Sequence, residues 1–192
     1  MGIQIVKVIT HTGAGEEYIR NAIHYAANED SVAFKGYGVA ERDPDTAAMQ
    51  ICKTAKYFRN EGKNQLIQYM ISFTRDVAPN AETAMNITDQ AMEPLKGEHM
   101  MFIGGHRKQT KQSDYHTHTF AVTTNYETGK MLHATNAINY PIAQRVANIT
   151  GSKTELIIER KKQLETESDH QNADGIENNN CFRKLFYPKR TE

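Results

Sequence analysis

YHTHTFAVTT, residues 115–124, is the stretch whose reading decides the fold. It is rich in β-branched and aromatic residues, the composition of a strand that fits a pleated surface. Residues two apart on a strand share a face, so His116 and His118 present their imidazoles side by side. Immediately upstream, Met100 to Gly104 (MMFIG) reads as the preceding strand. His106 stands at its end, and the polar segment Arg107 to Asp114 joins the two. If these strands pair antiparallel, His106 reaches the same face, and three neutral imidazoles converge as they do around a divalent metal with open positions. An HxH pair alone reads more readily as two surface histidines. The third histidine brings the metal reading level with it.

Working outward, the chain alternates strands and helices. Gln4 to Ile9 is an opening strand and His11 to Gly15 a turn. Glu16 to Ala26 carries Ile19, Ala22, Ile23 and Ala26 at helical spacing, with acids in its first turn. Ala33 to Val39 reads as a short strand. Asp43-Pro44-Asp45 starts a helix that runs to about Phe58, since proline suits the first helical turn. Asn64 to Phe73 is an apolar central strand, and Asn80 to Leu95 a helix with Ala84, Ile87 and Ala91 on one face. Downstream, Tyr126 to Lys130 is a hairpin turn into a short strand, Met131 to Ala134. A helix over Ile138 to Ile149 and a strand over Leu156 to Ile158 follow. From Glu165 to Asn180 the sequence is polar and nearly free of aliphatics, as in a linker or disordered segment. Cys181 to Tyr187 (CFRKLFY) regains apolar residues and is expected to dock. The expected fold is an α+β domain over residues 1–160, with a mostly antiparallel central sheet flanked by helices. Residues 161–192 form a polar tail, flexible or the start of a further region.

The chain has 192 residues, enough to bury a core. No stretch approaches the roughly 18 apolar residues of a membrane helix, and MGIQIVKVIT lacks the basic and small-residue features of a signal peptide. Cys52 and Cys181 are the only cysteines and form no CxxC, so no disulfide framework is expected and the compartment reads as reducing cytoplasm. Formal net charge is zero, which counts mildly against nucleic-acid binding unless basic residues are clustered. Arg107, Lys108 and Lys111 form one such cluster, and Arg183, Lys184, Lys189 and Arg190 another. For a nucleophile beside a metal, the tyrosines are more suggestive than the cysteines. Tyr25 follows His24 near the end of the first helix, and Tyr18 lies two turns earlier. A tyrosine ionises near pH 10 and needs activation to attack; on its own, Tyr25 reads more readily as a packing residue.

These residues carry a family resemblance. GGHRKQTKQSDYHTHTFAVTTNYETGK (residues 104–130) resembles the third motif of MobA-type mobilisation relaxases in the HUH endonuclease superfamily: a strand ending in His, an Asp-bearing loop, an HxH strand, and an N-[FY]-E-T-G-K hairpin. AIHYAANED resembles their nucleophile helix, and DPDTAAMQICKTAKYF the helix after it. NQLIQYMISFTRDVAPNAETAMNITDQAM resembles their central strand and its following helix, and NYPIAQRVANI a downstream helix. The likeness runs in order from about Ile3 to Glu159. It implies that Tyr25 is the nucleophile and that His106, His116 and His118 bind Mg²⁺ or Mn²⁺. Asp114 and His24 become candidates to orient an imidazole or act as base. The implied reaction nicks one DNA strand at a transfer origin, leaving a 5′-phosphotyrosyl end and a free 3′-hydroxyl, to start conjugative transfer or mobilisation. The implied partners are single-stranded origin DNA, relaxosome accessory proteins and a coupling protein, with no membrane insertion. Tyr18 is the backup nucleophile. Other readings are an origin-binding protein that does not cut, and another HUH enzyme such as a replication initiator or transposase.

Overall fold

Two helix starts are written in side-chain chemistry. Asp43 accepts the Thr46 N–H at 3.0 Å and is followed by Pro44, while Asn80 accepts the Thr83 N–H at 2.8 Å. Each supplies a partner for an amide that the first helical turn leaves unbonded. The computed structural model describes residues 2–10, 13–107, 113–160 and 181–189. Along the chain run β1 (Gln4–Thr10), α1 (Glu16–Ala26), β2 (Ser31–Tyr37), α2 (Pro44–Tyr57), β3 (Leu66–Ser72), α3 (Ala81–Ala91), β4 (His99–Arg107), β5 (Tyr115–Asn125), α4 (Asn136–Thr150), β6 (Thr154–Arg160) and β7 (Cys181–Phe186). The strands form one sheet in the order β2-β4-β5-β3-β1-β6-β7. Among the described strands, β1 and β6 are the parallel pair, and the remaining neighbours run antiparallel, giving the expected α+β class.

Helices cover both faces. Ile19, Ile23 and Ala26 of α1 and Ala47, Ala48 and Ile51 of α2 pack on Leu66, Phe102, Phe120 and Val122. On the other face, α3 and α4 cover Val6, Val8, Ile67, Tyr69 and Ile71. Burial of each such aliphatic is worth about 1.5–3 kcal/mol, so the apolar rows of the central strands fix which side chains are left to face α1. No helix among the described residues is long and apolar enough to cross a membrane.

Several boundaries differ from the sequence reading. β2 lies two residues earlier than Ala33–Val39, because Gly38 at φ 67° turns the chain and Ser31 is already paired opposite His106. The helix expected to reach Leu95 stops at Ala91 and tightens into a 3₁₀ turn over Glu93–Leu95; Pro94 has no N–H to give and crowds the preceding turn. β4 extends to Arg107, so His106, read as the end of this strand, is its penultimate residue. The strand expected over Met131–Ala134 is reduced to one bridge, Thr124 to Met131, since the chain turns at Thr135 into α4. Cys181–Phe186, placed after the domain by sequence, joins the sheet against β6, with Phe186 buried against Tyr140. Residues 161–180, read as linker or disorder, lie outside the described residues.

One charged cluster ties the edge strand β2 to α3. Asp89 meets Lys35 and Lys96 at 3.0 Å each and accepts the Tyr37 hydroxyl. Partial burial alone would raise this carboxyl, but the hydrogen bonds and charges of the two lysines outweigh it and hold it below its usual range. A depressed folded-state value stabilises the fold above the unfolded value of about 4, and the contribution is lost as pH falls through the folded value. Asp89→Asn is therefore expected to lower the neutral-pH stability by about 1 kcal/mol, solvent screening included, and to flatten the acid limb of a chemical-denaturation profile. An unchanged acid limb would show that Asp89 does not carry it.

Candidate active site

The ladder registers line up side chains in rows across the sheet. Ile5 on β1, Ser72 on β3, His116 on β5, His106 on β4 and Ser31 on β2 are successive cross-strand partners. The next row reads Lys7, Met70, His118, Gly104 and Phe34. Directly opposed residues share a face, so the three histidines converge on the side covered by α1. Their candidate ligand nitrogens all lie within 4.8 Å of one another. His106 and His118 are buried, at 3% and 2% exposure, and His116 is half-buried.

Partners outside the cluster orient two of the rings. His118 Nδ1 is hydrogen-bonded to the Gln68 carboxamide at 2.8 Å, and His106 Nε2 donates to the Ala26 carbonyl oxygen at 2.8 Å. His118 Nε2 is buried without a hydrogen-bond partner. Burial, then the neighbouring His116 and His106, pushes the His118 imidazole down to about 3, so it is neutral at physiological pH. The Gln68 atom facing the ring is its amide nitrogen; turned over by 180°, which exchanges amide nitrogen for oxygen, the carboxamide would accept Nδ1–H and leave the lone pair on Nε2. An unmet buried polar atom is unfavourable by about 1–3 kcal/mol, and a cation is the partner this donor set suits. The three histidines therefore fit a divalent metal.

Helix α1 brings Tyr25 over the cluster. Ile19, Ile23 and Ala26 anchor the helix on the sheet, and Tyr25 stands beside that stripe at 51% exposure. Its ring meets His118 edge-on at a centroid distance of 5.0 Å and lies 6.1 Å from His106. Tyr18 sits about 10 Å farther along the helix axis. Its ring packs where a side chain on Gly13 would go, and burial raises its hydroxyl well above the ordinary tyrosine value, which disfavours it as a nucleophile. A groove of about 430 Å³ opens on Tyr25, His116 and His118 and runs over Ile3, Ile5, Met70 and Ser72.

The remaining candidates are placed differently. His24 Nε2 lies 3.1 Å from Asp45 on α2. Asp114 binds Arg75 through both carboxylate oxygens, at 2.6 and 2.8 Å. That hydrogen bonding, and then the Arg75 charge, holds its carboxyl below the usual range. Neither residue has the orienting role on an imidazole among its described hydrogen bonds; Gln68 and the Ala26 carbonyl have it. Arg107 ends β4 and is exposed, while Lys108 and Lys111 lie outside the described residues. In the C-terminal basic cluster, Arg183 pairs with Glu155 and Lys184 lies 4.1 Å above the Tyr140 ring. This is four strands from β5, or roughly 19 Å at ordinary strand spacing.

Residues 18–154 match the family model of the relaxase MobA/VirD2-like nuclease domain. The chain belongs to this family. Membership makes it a DNA-acting nuclease domain of MobA-type relaxase descent, and the matched span contains Tyr25, the three histidines and Gln68. No curated protein matches the sequence. In this relaxase domain the hairpin that makes the resemblance specific is a structural device. Asn125 Oδ1 accepts the N–H groups of Glu127 and Thr128 at 2.9 Å each, and Asn60 donates to the Gly129 carbonyl at 2.9 Å. It closes the end of β5 opposite the histidines.

Proposed function

We propose that this relaxase domain nicks one strand of DNA at a transfer origin by tyrosine transesterification, to start conjugative transfer or mobilisation. The observation that carries this reading is Tyr25, half-exposed at the mouth of a groove and set edge-on to a three-histidine cluster. The Tyr25 oxygen attacks the scissile phosphorus. The bond from phosphorus to the 3′-oxygen breaks, and the phosphate becomes attached to tyrosine as a 5′-phosphotyrosyl end. The tyrosine proton leaves to water, which Tyr25 faces directly, and the departing 3′-oxygen takes up a proton to become the 3′-hydroxyl. One phosphodiester replaces another, so the strand can be rejoined by the reverse attack.

His106, His116 and His118 would hold a divalent cation, Mg²⁺ or Mn²⁺. When bound, it supplies positive charge to a phosphoryl oxygen, the usual electrostatic contribution of a metal to phosphoryl transfer. The chain's own part is positioning. Gln68 and the Ala26 carbonyl set the imidazoles, α1 sets the tyrosine, and the groove over Ile3, Ile5 and Met70 offers apolar surface to a base next to the scissile phosphate. Partners in this reading are single-stranded origin DNA, relaxosome accessory proteins and a coupling protein, in the cytoplasm.

The test is a covalent-adduct assay. Labelled single strands tiled over the DNA flanking the gene are mixed with the protein and Mn²⁺ and resolved on a denaturing gel. A labelled band at the summed mass of protein and oligonucleotide is the expected result. Specific binding without an adduct on any strand would replace nicking with origin recognition alone.

A further inference from the structure

We propose that Gly104 and Ser31 are positioning residues that lock the tyrosine-bearing end of α1 to His106 through one backbone atom, the carbonyl oxygen of Ala26. Its catalytic consequence rests on the Tyr25 reading above; the link to the histidine cluster does not.

Helix α1 ends at Ala26, and the last carbonyls of a helix have no intrahelical partner. The Ala26 oxygen finds two. It accepts from His106 Nε2 at 2.8 Å and from Ser31 Oγ at 2.7 Å. Both donors come from one row of the sheet, where Ser31 is the cross-strand partner of His106. A bulge there places Val32 between the pairs Ser31–His106 and Ala33–Gly105; bulges locally bend a strand and re-aim its side chains.

The carbonyl reaches this row because position 104 has no side chain. A Cβ at Gly104 would lie 1.9 Å from the Ala26 oxygen and 2.8 Å from its carbonyl carbon. The obstacle is helix backbone, so any side chain at 104 must push the end of α1 off the sheet. Gly104 is also the cross-strand partner of His118, so the gap lies in the row next to that of His106 and His116, on the same face.

Two consequences meet at this oxygen. With its Nε2–H donated to Ala26, neutral His106 keeps its lone pair on Nδ1, which fixes the tautomer and the ring plane. Ala26 also follows Tyr25 directly in the chain, so the bond that orients the imidazole also sets the height of the tyrosine above it. The negative end of the α1 dipole adds to the attraction for an N–H donor and for positive charge beyond it.

The experiment compares Ser31→Ala, Ser31→Thr and Gly104→Ala with wild type by Mn²⁺ titration calorimetry and by adduct formation at saturating Mn²⁺. Thermal unfolding serves as a check on folding. Ser31→Ala is expected to weaken Mn²⁺ binding by up to about 10-fold, the lower end for loss of a direct partner of a ligand, because Ser31 acts on His106 through the Ala26 oxygen. It should slow adduct formation by a similar factor, with affinity for single-stranded DNA retained. Ser31→Thr, which keeps a hydroxyl, should restore both. Gly104→Ala should show a larger loss of each; if it does not fold, the Ser31 pair decides. Wild-type Mn²⁺ affinity and adduct rate in Ser31→Ala would overturn the proposal. If the wild-type protein forms no adduct, the Tyr25 reading fails, and Mn²⁺ affinity alone then supports or overturns the link.

Discussion

Tyr25→Phe is expected to form no detectable adduct with DNA and to bind single strands as the wild type does. The substitution removes one oxygen and leaves the ring that meets His118 edge-on. Without that oxygen no bond to phosphorus can form, so nicking should fall by more than about 10³-fold, the scale on which removal of a nucleophile is measured. Stability should hardly change, because the side chain is 51% exposed and, among the described residues, no hydrogen bond ties its hydroxyl to the buried network. The measurement is the same denaturing-gel assay, alongside fluorescence anisotropy for binding. A variant that still forms the adduct would remove Tyr25 from the reaction and return attention to the remaining tyrosines. A variant that loses binding along with nicking would make Tyr25 a contact for the strand instead.

His116→Ala is expected to abolish metal binding with little cost to the fold. Loss of an outer partner of a metal ligand weakens affinity about 10–100-fold, and loss of the ligand itself should exceed about 100-fold. His116 is the informative position because it is only half-buried. His118→Ala would also open a cavity in the core and strand the Gln68 carboxamide that now meets its Nδ1, at a stability cost of about 2–3 kcal/mol, which confuses metal loss with unfolding. Mn²⁺ titration of His116→Ala, checked by its unfolding temperature, separates the two. Wild-type affinity in that variant would exclude the histidine cluster as the metal site.

The fold was legible where one face of an element is plainly apolar. Glu16–Ala26 was readable to the residue because Ile19, Ile23 and Ala26 repeat at helical spacing and the first turn is acidic. His116 and His118 were readable because a strand has period two. What stayed hidden depends on contacts between distant segments. Nothing near Ala26 in sequence indicates that its carbonyl meets a histidine eighty residues away. Gln68 left a trace, as a polar residue early in the apolar run LIQYMISF, but its partner is set by the β3–β5 register. The pairing of Arg75 with Asp114 had no local signal, so Asp114 read as a candidate to orient histidine when its carboxylate is engaged by arginine. β2 and the single bridge at Met131 were misjudged because propensity sees β-branched residues but not the partner strand that must be there to pair them.

The parallel pairing of β1 with β6 has a consequence for the order in which the chain acquires its shape. β1 is made first, yet one of its two edges stays open until residues 154–160 have left the ribosome. During that interval Val6 and Val8, fully buried in the finished sheet, border a row of unpaired amides and carbonyls of the kind that recruits other chains. Pairings between strands this far apart in sequence are slow to form. A truncation at residue 154, where the family match stops, would make that transient edge permanent, so such a fragment should aggregate even though it retains the tyrosine and all three histidines.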